Sequence, residues 1–127
     1  MLSSGELVWL LAAVARGDRD AFERLYAATR AKIYGVALRI LRRKDLAEEV
    51  TQESYLRIWR RAPEFDPARA TPITWMVAIA RNRALDIVRK KAEAPIEEEP
   101  LAIEAGGELA QASPKPEMTD ELKRLLA

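Results

Sequence analysis

Two stretches of this sequence combine residue types that could bind a charged partner. In the first, Glu49, Gln52, Glu53 and Leu56 recur at short intervals, and a helix turning about 100° per residue gathers them into one arc. A leucine ringed by carboxylates and an amide can act as an apolar anchor whose neighbours meet basic side chains. It can equally be an incidental exposed leucine on a solvated face, which is common. In the second stretch, Trp75, Ile79, Asn82, Asp86 and Arg89 share one helical face, with Arg83 and Lys90 on one flank and Arg81 towards the other edge. Cations hold phosphates, asparagine can read a base edge, and an indole can pack on an exposed base. The competing account is that Trp75 and Ile79 cover a neighbouring helix while the charges are merely solvated.

Composition removes most other chemistry. The 127 residues contain no cysteine and no histidine, so disulfides, thiolate metal sites, ordinary zinc sites and Ser-His or Cys-His nucleophiles are excluded. Carboxylate chemistry with magnesium is the enzymatic option left. It needs acids clustered in a pocket, whereas these acids fall on helix faces and in a tail. The chain reads as a binding protein and not an enzyme, with no metal and no cofactor. Its net charge of +1 hides a division: residues 1–91 carry 18 Lys and Arg against 11 Asp and Glu, and residues 92–127 carry 3 against 9. A basic body with an acidic tail suits an anionic partner such as nucleic acid, or simply a soluble domain with a solvating tail. The apolar run over residues 7–14 is too short to span a bilayer and lacks a basic lead and a cleavage site. A cytoplasmic protein without membrane insertion is expected.

The elements that would carry these faces read as helices throughout. A first helix is expected over residues 5–16, stopped by Gly17. Asp18 caps a second, with Phe22, Leu25, Tyr26, Ile33, Val36, Ala37, Ile40 and Leu41 on its apolar face. Asp45 is expected to cap a third that reaches Ala62, burying Ala47, Val50, Thr51, Ser54, Tyr55, Ile58 and Ala62. Prolines 63, 67 and 72 enclose an irregular loop. Thr71 at N-cap and Pro72 at N1 start a fourth helix, whose core stripe is Ile73, Met76, Val77, Ala80, Ala84, Ile87 and Val88 and which ends near Lys91. The fold class is therefore all-α, a compact bundle of about four helices over residues 1–91. Residues 92–118, rich in Ala, Glu and Pro, read as a disordered acidic linker, and residues 119–127 as the cut-off start of a further helical domain.

In this order the segments resemble region 2 of the extracytoplasmic-function sigma factors. Asp45-Leu-Ala-Glu-Glu-Val-Thr-Gln-Glu-Ser-Tyr-Leu-Arg-Ile-Trp59 is similar to that family's helix that docks on RNA polymerase. Thr71-Pro-Ile-Thr-Trp-Met-Val-Ala-Ile-Ala-Arg-Asn-Arg-Ala-Leu-Asp-Ile-Val-Arg89 is similar to its −10 recognition helix, and Gly17-Asp-Arg-Asp-Ala-Phe-Glu-Arg-Leu-Tyr26 to its usual opening. The resemblance implies that Glu49, Gln52, Glu53 and Leu56 face the clamp helices of the polymerase β′ subunit. It further implies that Trp75, Asn82, Arg83 and Asp86 lie towards the −10 element; Arg81, Arg89 and Lys90 are expected DNA contacts by their charge on the same helix. The loop over residues 64–71 would take a base flipped from the non-template strand, as base-trapping openers must. Phe65 and Arg69 suit that task, although Phe65 could as well anchor the loop in the core. An anti-sigma protein is a further expected partner, and residues 119–127 would open the domain that reads the −35 element. A protein-interaction module without DNA binding is the alternative; it predicts a buried Trp75 and dispensable Arg81, Arg83 and Arg89.

Overall fold

The computed structural model describes residues 2–93 and 118–126, apart from the Glu93 side chain. Helix α1 (Ser4–Ala15) opens with a capping box, in which Ser3 Oγ accepts from the Glu6 N–H at 3.1 Å and the Glu6 carboxylate accepts from the Ser3 N–H at 3.2 Å. It closes where Gly17 takes φ 86°. The Gly17 N–H then reaches Val14 O and the Asp18 N–H reaches Ala13 O, satisfying the last carbonyls. Asp18 in turn caps α2 (Arg19–Leu41), its Oδ1 accepting from the Ala21 N–H at 3.1 Å.

Only Arg42 and Arg43 separate α2 from α3 (Lys44–Arg61). Arg42 adopts a left-handed conformation, φ 58°, to turn the chain so sharply. Asp45 does not cap α3. The N-cap is Arg43, which makes no side-chain cap bond, and Asp45 lies inside the first turn. There its carboxylate grips the Arg43 guanidinium at 2.7 and 3.1 Å, which holds its pKa below the ordinary aspartate value. With so short a link the chain enters the helix one residue before the aspartate.

A 3-10 turn (Ala62–Glu64) follows, then α4 (Pro72–Glu93) and a short α5 (Asp120–Leu125). Thr71 caps α4 through the Thr74 N–H at 3.2 Å, and Thr119 caps α5 through the Leu122 N–H at 3.1 Å. Among the described residues every regular element is helical. The linker expected at 92–118 lies mostly outside the described residues; its first two residues continue α4, and its last, Met118, is buried.

Helix α2 is the spine, packing against α1, α3 and α4, while α3 and α4 also pack on each other. The main core gathers Leu7, Leu10, Leu11, Val14, Phe22, Leu25, Tyr26, Ile33, Tyr55, Ile58, Met76 and Ile79. Phe22 sits edge-on to Tyr55 and Trp59, at centroid distances of 6.1 and 5.3 Å. A second cluster of Tyr34, Ala37, Leu38, Leu41, Ala47, Val50 and Ala84 fills the other end. All seven residues expected on the inner face of α3 are buried.

The stripe of α4 departs from its expected position. Ile79, placed on the outer face from spacing alone, is buried, and Val88 is 40% exposed. The cause is α1, which packs against α4 and extends the core to that side of the helix. Val36 and Ile40 of α2 are half-buried, whereas Tyr34 and Leu38 are buried.

Candidate functional site

A buried polar net fixes how α3 is rotated, and so which residues it turns outward. Thr29 Oγ1 donates its one proton to Leu25 O at 2.7 Å, so in its 2.5 Å contact with Tyr55 the tyrosine must be the donor. Arg30 Nε donates to the Tyr26 hydroxyl at 2.7 Å and Nη2 to Glu48 at 2.6 Å, with the guanidinium 5.1 Å from the Tyr34 ring centroid. Burial pushes the Arg30 pKa down, but the hydrogen bond to Glu48 and the neighbouring charges outweigh it and the net shift is upward. Two of these bonds join α2 to α3: Thr29–Tyr55 in the buried interior and Arg30–Glu48, whose carboxylate is 48% exposed.

With the inner face fixed, Glu49 is exposed and Gln52, Glu53 and Leu56 are half-buried. Leu56 lies against the rim of the main core. Two of the four already have partners. Gln52 Oε1 accepts from Thr119 Oγ1 at 3.3 Å, and the Glu53 carboxylate pairs with Arg83 of α4 through Nε and Nη2. That hydrogen bond, more than any other influence, raises the Arg83 pKa. Arg83 also donates to Asp86 at 3.1 Å. The two candidate faces thus meet at an ion pair.

On α4, Trp75 is half-buried and packs on Phe65, with ring centroids 5.4 Å apart. Both rings lie against the main core, so Phe65 anchors the loop. Below it the loop is held as a turn: Asp66 Oδ1 accepts from the Ala68 N–H at 2.9 Å, and the Arg69 and Ala70 N–H groups reach Asp66 O. Arg69 is left exposed at the turn, as are Arg81 and Asn82 along α4. Asp86 lies between three cations, Arg83 at 3.1 Å, Lys90 at 3.4 Å and Arg89 at 3.6 Å. The Arg89 and Lys90 side chains remain 73% and 72% exposed, so these surface pairs are weak and exchangeable. A row of exposed cations beside an exposed amide can hold phosphates and reach a base edge. Among the described residues no group of acids is placed to hold a metal ion, and no helix is long and apolar enough to cross a membrane.

Three features of this surface were not anticipated. The Arg30 net had a signal, since Arg30 continues the apolar spacing of Phe22, Tyr26 and Ile33, and a cation on a core stripe needs a buried partner. The Glu53–Arg83 and Gln52–Thr119 contacts join residues 30 and 67 apart in sequence and had none.

The family described as Sigma-70 region 2 matches residues 25–94. Among curated proteins, the ECF RNA polymerase sigma factor SigK of Mycobacterium ulcerans is 43% identical over 86 residues, covering 68% of this chain and 46% of the relative. SigK of Mycolicibacterium vanbaalenii is 40% identical over 97 residues, covering 76% and 50%. SigK of Mycobacterium tuberculosis strain H37Ra is 43% identical over 86 residues. The chain spans about half the length of the curated relatives it matches. With its helical order, its capped α4 and the cationic face that helix carries, the chain belongs to the sigma-70 region 2 family, of the extracytoplasmic-function type.

Proposed function

We propose that this chain acts in transcription initiation as the region 2 part of an alternative sigma factor, joining core RNA polymerase and opening the promoter −10 element. Helix α3 docks on the β′ clamp helices through Glu49, Gln52, Glu53 and Leu56, with Leu56 as the anchor. Helix α4 and the loop before it take the non-template strand. Arg69, Arg81, Arg89 and Lys90 hold phosphates, Asn82 reads a base edge, and Trp75 with Phe65 walls the place where an extruded base is kept. Arg83 and Asp86 link the two faces. The observation that carries this reading is the adjacency of a half-buried leucine in an acidic and amide-bearing arc to an exposed cationic helix face. Residues 1–91 form the working unit, and residues from Thr119 onward belong to a second module. An anti-sigma protein is the expected regulator.

Selection from a pool of single-stranded oligonucleotides, with core polymerase present, tests the DNA half. Enrichment of one short motif that depends on Asn82 is the predicted result. Retention of all sequences alike would favour a protein-interaction module, a reading to which the half-burial of Trp75 and the pairing of Arg83 lend some weight.

A further inference from the structure

Helix α5 is short; within it Leu122 is buried and Leu125 is 45% exposed. Met118 just before the helix, Leu122 within it and Leu126 at its C-cap all join the main core, at 7%, 1% and 2% exposure. Asp120, Glu121, Lys123 and Arg124 point to solvent. Two polar contacts fix where the helix sits. The Arg19 guanidinium, at the start of α2, donates to Lys123 O at 2.8 Å, and Thr119 Oγ1 donates to Gln52 Oε1 at 3.3 Å. The helix that α5 packs against is α3.

Gln52 is one of the four residues of the α3 docking arc, and Leu56 follows it by one turn on the same arc. While its amide oxygen accepts from Thr119, with α5 packed on α3, the half-buried Gln52 is not free to present that oxygen to a polymerase surface. We propose that the segment Met118–Leu126 masks the polymerase-docking arc in the free protein and must leave it before the chain joins core enzyme. The inference rests on the docking role proposed above for α3. Because α5 belongs to the same chain, a modest contact keeps it docked, since it is never diluted away from its site. Core polymerase then meets only the fraction of molecules in which α5 is displaced, and the observed affinity is reduced by that fraction.

The contact is tested with the whole chain. Leu122→Asp places a charge in the core contact of α5; it should tighten binding to core polymerase by about tenfold, corresponding to a competent fraction of about a tenth in the parent. Circular dichroism and a thermal melt establish that α1 to α4 remain folded. A second variant pair works in the opposite sense. The sequence has no cysteine, so Arg19→Cys with Lys123→Cys can be bridged within one chain by a short bis-maleimide. The bridged protein should lose polymerase binding, and the unbridged pair should keep it. Equal affinity of the bridged and unbridged forms would overturn the masking, as would an unchanged or weaker affinity of Leu122→Asp, or failure of the bridge to form within a chain. Failure of the parent and every variant to bind core polymerase, with the bridge forming normally, would instead remove the docking role of α3 and this inference with it.

Discussion

Helices α3 and α4 each turn one side to the core and the other outward, but their outer sides are built differently. On α3, Glu53 and Leu56 are half-buried and held in place, Glu53 by Arg83 and Leu56 against the core rim, while Gln52 bonds Thr119 and Glu49 is exposed. On α4 the cations at the C-terminal end stand far into water, and the bonds they make to Asp86 are exposed. A surface of the first kind is shaped before it meets a partner and suits a fixed protein surface. One of the second kind adapts to a flexible polyanion and draws its affinity from released counterions. The Glu53–Arg83 pair is where one kind passes into the other.

The sharpest way to separate the two faces is to remove the cations together. Arg81→Ala with Arg89→Ala and Lys90→Ala should lower single-stranded DNA affinity by about a hundredfold at low salt and flatten the log–log salt slope by about 2. Polymerase affinity should not change; a parallel loss in both assays would mean that the faces are not distinct. Asn82→Ala should leave the salt slope as it is and reduce discrimination between promoter sequences by about 1–3 kcal/mol. Uniform weakening on all sequences, read by competition binding, would place Asn82 among the phosphate contacts instead.

A smaller effect is expected from Glu53→Ala, which acts on both faces at once. Freed of its carboxylate, Arg83 should strengthen DNA binding by about threefold, as befits a part-exposed ion pair, while polymerase binding weakens. Movement of both affinities in the same direction would contradict a shared pair. A change of another kind, in stability and not in binding, concerns the inner side of α3. Burial lifts the Tyr55 hydroxyl above its ordinary value. Its stabilising contribution is therefore complete below the unfolded value of about 10 and is lost as pH rises beyond it towards the folded value. Tyr55→Phe should cost about 1 kcal/mol at neutral pH and flatten the alkaline limb of the stability curve. Part of that limb remains, because burial raises Tyr26 as well. An unaltered limb in thermal melts from pH 8 to 11 would contradict the assignment.

How far the sequence alone reached depended on the range of the interaction. Stops and starts governed by neighbouring residues, such as Gly17 with Asp18 and Thr71 with Pro72, were legible, because the groups that satisfy the helix ends lie within a few positions. So was the inner face of α3, where period and burial agree. Asp45 misled because a two-residue link drew the helix start onto Lys44, leaving Arg43 as the N-cap. Ile79 misled because a helical wheel cannot know that α1 lies across that side of α4. The pairing of Glu53 with Arg83, and of Gln52 with Thr119, depends on how whole helices are placed, which no local spacing encodes.

If the outer arc of α3 is the polymerase-docking surface, Leu56 is its most direct probe. Leu56 is half-buried at the core rim, so Leu56→Asp should leave helix content and cooperative melting in place. Affinity for core RNA polymerase, measured for the parent and the variant side by side, should fall by about a hundredfold or more, the scale of a central anchor replaced by a charge. Equal affinity of the two proteins would contradict the account.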